Sequence, residues 1–139
     1  MGAATRVDLS HLAETSRERS STVNRGLPEK RLRRVVNYIA DNLETNISLS
    51  KLAAIAEMSP HYFSGLFKQS TGRSPHSYIL LQRIERAKQH LRDPKRSIID
   101  VGLEAGFKNP SHFARIFRKF EGTTPSRFRA DYLQPCVYA

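Results

Sequence analysis

Residues Ser97 to Pro125 read SIIDVGLEAGFKNPSHFARIFRKFEGTTP, and their punctuation, apolar spacing and basic residues describe one object, a helix-turn-helix. Ser97 is a good N-cap, and Asp100 is placed to return a bond to the Ser97 amide, a capping box with a shortened acid. Ile98, Val101, Gly102 and Ala105 then share one helical face, and Gly106 supplies the left-handed residue that ends the helix. Asn109 caps again, and Pro110 suits a first helical position, where its missing N–H would have had no partner. In this second helix Phe113, Ile116, Phe117 and Phe120 recur at i, i+3, i+4 and i+7. Ser111, Ala114, Arg115 and Arg118 repeat the same spacing on another face. One face packs and the other is offered outward. Gly122 closes the helix, and Thr124 with Pro125 opens the next.

The same grammar stands about fifty residues earlier. Pro60, Phe63, Phe67, Gly72 and Pro75 recur in strict register as Pro110, Phe113, Phe117, Gly122 and Pro125. Upstream of the prolines the register slips by one, so that Ser48, Leu52 and Ala56 answer to Ser97, Val101 and Ala105. The second turn carries the extra residue, which a turn absorbs easily.

A length of 139 residues with 39% hydrophobic content is one domain's worth of chain, small and helical rather than a packed sheet. Lys and Arg number 23 against 13 acids, a net charge of +10, which points to a polyanionic partner, nucleic acid or an anionic membrane surface. The single Cys136 excludes an internal disulfide and a multi-thiolate metal site. No apolar run approaches the roughly 20 residues of a membrane span, and the N-terminus lacks a signal peptide's apolar region, so a cytoplasmic protein is expected.

Residues 1–27 lack apolar periodicity and read as a flexible tail or linker. From Pro28 to about Glu44, Leu32, Val35, Val36, Ile39, Ala40 and Leu43 follow a helical period, with Lys30, Arg31, Arg33 and Arg34 as a solvated charged face near its start. Ile47 and Ser48 form a staple and cap for a helix that buries Leu49, Leu52, Ala53 and Ala56. Ser59 and Pro60 open a helix whose packed face is Phe63, Leu66 and Phe67 and whose opposite face is His61, Ser64, Gly65 and Lys68. It ends at Gly72. Ser74 and Pro75 begin a longer helix to about Arg92, with Tyr78, Leu81, Ile84, Ala87, Lys88 and Leu91 as its inner stripe. A last helix runs from Pro125 to about Leu133, burying Phe128 and Tyr132, and Pro135 stops it. The expected fold class is all-α, seven helices forming two helix-turn-helix subdomains, 28–92 and 93–139, joined by a long central helix.

The run AGFKNPSHFARIFRKFEGTTPSRFR, Ala105 to Arg129, and its weaker copy SPHYFSGLFKQSTGRSP, Ser59 to Pro75, resemble the DNA-binding domain of the AraC/XylS family of bacterial transcription regulators, over residues of about 28 to 133. The resemblance implies promoter DNA as ligand, RNA polymerase as a further partner, and a second helix of each unit in the major groove. Carried over by position, the base-reading residues are His61, Ser64 and Gly65 in the first unit and Ser111, His112 and Arg115 in the second. Family members often have arginine where this chain has Gly65. They also commonly carry an effector or dimerisation domain before this one.

The residues support that assignment on chemical grounds. A major groove about 12 Å wide admits a helix, and an arginine there bonds two guanine atoms at once. Arg115, in the middle of an outward face, is the leading candidate, the alternative being a surface ion pair. His61 and His112 divide evenly between exposed surface residues and DNA contacts. Lys68, Arg118 and Lys119, nearer the helix ends, suit phosphate contacts, which set register without carrying sequence information. Phe63, Phe67, Phe113 and Phe117 belong to the packed face and are core. Among the five histidines there is no HExxH pair, and the chain has no CxxC, nucleophile elbow or glycine-rich phosphate loop. No catalytic residue, cofactor or metal is expected.

The rival expectation is a basic amphipathic protein that binds an anionic membrane surface or a protein partner through RVVNYIADNL or RIERAKQHL. The internal repeat argues against it. A membrane helix gains nothing from two Gly/Pro-timed turns, whereas a duplex with successive major-groove faces does. Two heads on one chain also imply that a monomer suffices on DNA.

Overall fold

Six serine, threonine or asparagine caps set where the helices begin. The computed structural model describes residues 26–134, and among them it has seven helices and no strand. They are α1 (Glu29–Asp41), α2 (Leu49–Ile55), α3 (Pro60–Thr71), α4 (Pro75–Leu91), α5 (Ile98–Ala105), α6 (Pro110–Glu121) and α7 (Pro125–Leu133). Ahead of α2 to α7 in turn, Ser48, Ser59, Ser74, Ser97, Asn109 and Thr124 each accept a bond of 2.7–3.3 Å from a backbone N–H in the first turn. Each such cap is worth about 1 kcal/mol. Gly72, Gly106 and Gly122 end α3, α5 and α6 at φ of 82°, 112° and 78°, where any side chain would be strained.

The repeat is visible in the backbone. The amides of Met58 and Phe107 each close the first turn of their unit with a 3.0 Å bond, to the carbonyls of Ala53 and Gly102. The turn therefore has one geometry in both copies, and Lys108 is the additional residue beyond it. Where the second copy has Gly106, the first has Glu57 at φ 62°, a left-handed residue with a Cβ, whose carboxylate meets Arg31 at 3.5 Å.

Contacts divide the chain into two units, Met1–Ile79 and Leu80–Ala139. In the first, Leu32, Val35, Val36 and Ile39 of α1 close over Leu52, Ala53 and Ala56 and over Phe63 and Phe67 of α3, with Tyr78 edge-on to Phe67 at 5.3 Å. In the second, Leu80, Ile84, Ala87 and Leu91 of α4 take the part that α1 plays in the first, over Val101, Ala105, Ile116 and a run of rings. Phe107 lies 5.1 Å from Phe113, Phe113 is 5.8 Å from Phe117, and Phe117 is 5.5 Å from Phe128. The four phenylalanines assigned to the packed faces, Phe63, Phe67, Phe113 and Phe117, are at most 1% exposed.

Several details differ from the sequence reading. The division falls inside α4, since Tyr78 and Ile79 serve the first core while Leu80 onward serves the second. For the same reason Ile79 and Leu80 are buried and Leu81 is only half-buried. α1 stops at Asp41 rather than near Glu44, because the Asn42 side chain donates to the Tyr38 carbonyl at 2.8 Å and finishes the helix. Leu49, the first residue of α2, is 40% exposed, lying ahead of the stripe that packs. Tyr132 is 51% exposed rather than buried, with the Arg92 guanidinium over its ring at 5.2 Å. Leu27, placed in the tail, belongs to the first core, its amide donating to the buried Ser70 hydroxyl at 2.8 Å. The reading of 1–25 as tail or linker, and of Pro135 as a helix stop, lies outside the described residues.

Candidate nucleic-acid interface

Burial of Phe113, Ile116 and Phe117 fixes the rotation of α6 about its axis. With 3.6 residues per turn, that rotation turns Ser111, Ala114, Arg115, Arg118 and Lys119 to solvent, and all five are exposed. Among the described residues no ion pair involves Arg115, Arg118 or Lys119. Arg118 and Lys119 lie in the last turn, where cations complement the helix dipole, while Arg115 stands mid-helix with no such reason. His112 is placed differently. It is half-buried, and its ring meets Phe107 edge-on at 5.6 Å, so it flanks the outward face.

The close approach of α5 to α6 depends on one glycine. A Cβ on Gly102 would meet the Phe113 ring at 2.7 Å, and that tight contact seats α6 against its supporting helix. In the first unit Ala53 holds the corresponding place and is 1% exposed.

In α3 the burial of Phe63, Phe67 and Ser70 exposes His61, Gly65 and Lys68. Ser64 is half-buried and lines a shallow cleft with Ile47, Leu52, Pro75 and His76. The sequence reading passed over Tyr62, which is 61% exposed on this helix. The repeat was the available signal, since Tyr62 occupies the register position of His112. Gly65 answers to Arg115 and Gln69 to Lys119.

Gly65 differs from the other glycines of both units. It has no positive φ, and a Cβ built on it would meet nothing within 4 Å. A glycine inside a helix costs about 1 kcal/mol relative to alanine. Gly65→Ala is therefore expected to raise stability by about that amount in urea denaturation. No gain, or a loss, would mean that the site is conformationally constrained.

Among the described residues no group of three His, Cys, Asp or Glu side chains is arranged to hold a metal. No helix there is long and apolar enough to cross a membrane. The two stretches that a membrane-surface reading would use are already spent on the cores. Val35, Val36, Ile39, Ala40 and Leu43 of the first are buried, as are Ile84, Ala87 and Leu91 of the second.

Residues 52–131 match the family model described as a helix-turn-helix domain. An XylDLEGF operon transcriptional activator of Pseudomonas putida is 39% identical over 106 residues, covering 74% of this chain and 32% of the relative. A second activator of that name and organism is 35% identical over 107 residues, covering 75% of this chain and 68% of its own length. The arabinose operon regulatory protein of Escherichia coli K12 is 37% identical over 103 residues, covering 73% of this chain and 35% of the relative. This chain thus spans about a third of the length of the first and third of these relatives. Among solved structures, an AraC-type transcriptional regulator from Chromobacterium violaceum superposes with a TM-score of 0.70 at 33% identity, over 77% of this chain and 96% of that one. The DNA-binding domain of AdpA, solved in complex with a target DNA, superposes with a TM-score of 0.69 at 30% identity, over 73% of this chain and 92% of that one. The doubled turn, the capped and glycine-closed helices and these matches together establish that the chain belongs to the AraC/XylS family of helix-turn-helix transcription regulators.

Proposed function

We propose that this chain binds double-stranded promoter DNA sequence-specifically, with α3 and α6 entering successive major-groove faces, and that it regulates transcription through that contact. The carrying observation is the outward face of α6, where an exposed arginine in mid-helix and two cations in the last turn stand opposite the buried Phe113, Ile116 and Phe117. The AdpA domain, of the same fold, has been solved on its target DNA, which supports the reading. Arg115 reads base edges, with Ser111 beside it and His112 at the flank. His61, Ser64 and Gly65 occupy the corresponding surface of α3. Lys68, Arg118 and Lys119 hold phosphates and set the register. The reading includes no catalysis and no cofactor. On this reading the chain works in the cytoplasm, as a monomer on its site, with RNA polymerase as the further partner.

Reading and holding are separable by mutation. Arg115→Ala is expected to cost about 1–3 kcal/mol on the best site and to relax preference at one base pair. Lys119→Ala is expected to weaken all sequences alike and to reduce the salt slope by about 1. Competition binding on specific and random duplex measures both. Equal loss on both duplexes for both variants would show that Arg115 contributes only charge.

A further inference from the structure

Beside the exposed Lys68, one row of α3 carries no charge where the matching row of α6 carries Arg115 and Lys119. At i, i+3 and i+7 the second unit presents His112, Arg115 and Lys119, and the first presents Tyr62, Gly65 and Gln69. Among the described residues, Tyr62 is the most exposed of the large apolar side chains, at 61%. No packing, cap or turn calls for an aromatic there: its backbone N–H is bonded to the Ser59 hydroxyl at 3.3 Å, but the ring lies outside the first core. Gly65, one turn along, places no side chain beside the ring, and its surroundings are open. An arginine at 65, three residues on, would compete for that space.

On the DNA-binding reading, a ring on the groove-facing side of a helix has the means to meet an apolar group. Among the base edges of the major groove the one apolar group is the thymine 5-methyl. We propose that Tyr62 is a specificity-determining residue of the first unit, its ring contacting a thymine methyl, so that the first half-site is chosen by a methyl contact and the second by the Arg115 guanidinium on guanine. This rests on the DNA-binding reading above and assigns the two units different base chemistry.

The test uses duplexes enriched from a randomised library by the whole chain, with each thymine replaced in turn by deoxyuridine, which removes only the methyl group. In anisotropy titrations, one thymine in the first half-site should show a roughly 5- to 10-fold loss on replacement, the lower part of the range for a single base contact. Tyr62→Ala should bind the unmodified site with the same loss and show no further loss with deoxyuridine, and Tyr62→Phe should keep the wild-type sensitivity. Because the ring is exposed, both variants should melt as the wild type does. A first half-site indifferent to every deoxyuridine, a methyl effect undiminished in Tyr62→Ala, or loss of sensitivity in Tyr62→Phe would overturn the proposal while leaving Arg115 selectivity in place. Failure to enrich any duplex would overturn the DNA-binding reading itself, and this inference with it.

Discussion

Raising monovalent salt from 50 to 200 mM is expected to lower the affinity of this chain for duplex DNA by about 10⁴-fold, if roughly eight phosphates are neutralised at a slope of about −0.9 each. The chain has the charge for this, with 23 Lys and Arg against 13 acids. Many of its cations are already engaged. Arg33 pairs with Glu29, Lys88 with Glu85 and Glu121, Arg96 with Glu104 and Asp93, and Arg127 with Asp131. Contacts to about eight phosphates, with Lys68, Arg118 and Lys119 near the ends of α3 and α6 among the cations that make them, correspond to a slope near −7 on a logarithmic plot. Anisotropy titration at four or more salt concentrations measures it. A nearly flat dependence on duplex, alongside strong binding to anionic vesicles, would favour a membrane surface as partner.

Phe117→Ala is expected to cost about 3–5 kcal/mol, a large share of the 5–15 kcal/mol that ordinarily holds a domain together. Phe117 is fully buried and links Phe113, at 5.8 Å, to Phe128, at 5.5 Å. Its removal therefore leaves a cavity where α6 is seated, and the face carrying Arg115 loses its fixed rotation. Urea denaturation followed by circular dichroism reads the stability, and half-site selection reads the consequence, a loss of preference in the second half-site. A cost below about 1 kcal/mol would contradict the assignment of this ring chain as the core that positions α6.

Helix boundaries and the packed faces were legible because their causes are local. A serine or asparagine accepts from an amide three residues on, a glycine ends a helix within one residue, and the spacing of Phe113, Ile116 and Phe117 fixes a face. Part of what was not legible depended on partners far along the chain. Leu27 is core because Ser70, 43 residues away, receives its amide. Tyr132 has Arg92 over its ring and stays half exposed. Of the inner stripe of α4, Tyr78, Ile84, Ala87 and Leu91 are buried as read, while Leu81 is half-buried and Ile79 and Leu80 are buried beside it, because this helix serves two cores. On the candidate face, Arg115, Arg118 and Lys119 followed from the period alone. Tyr62 was passed over, although comparison of the two copies residue by residue places it opposite His112.

The central claim is that two unlike heads on one chain address successive major-groove faces. Hydroxyl-radical footprinting of the chain on its selected duplex tests this most directly. The expected result is two protected patches on one face of the duplex, centred about 34 Å apart, in an asymmetric site filled at one chain per duplex. A single protected patch of about half a turn, or protection only on palindromic sites at two chains per duplex, would contradict it.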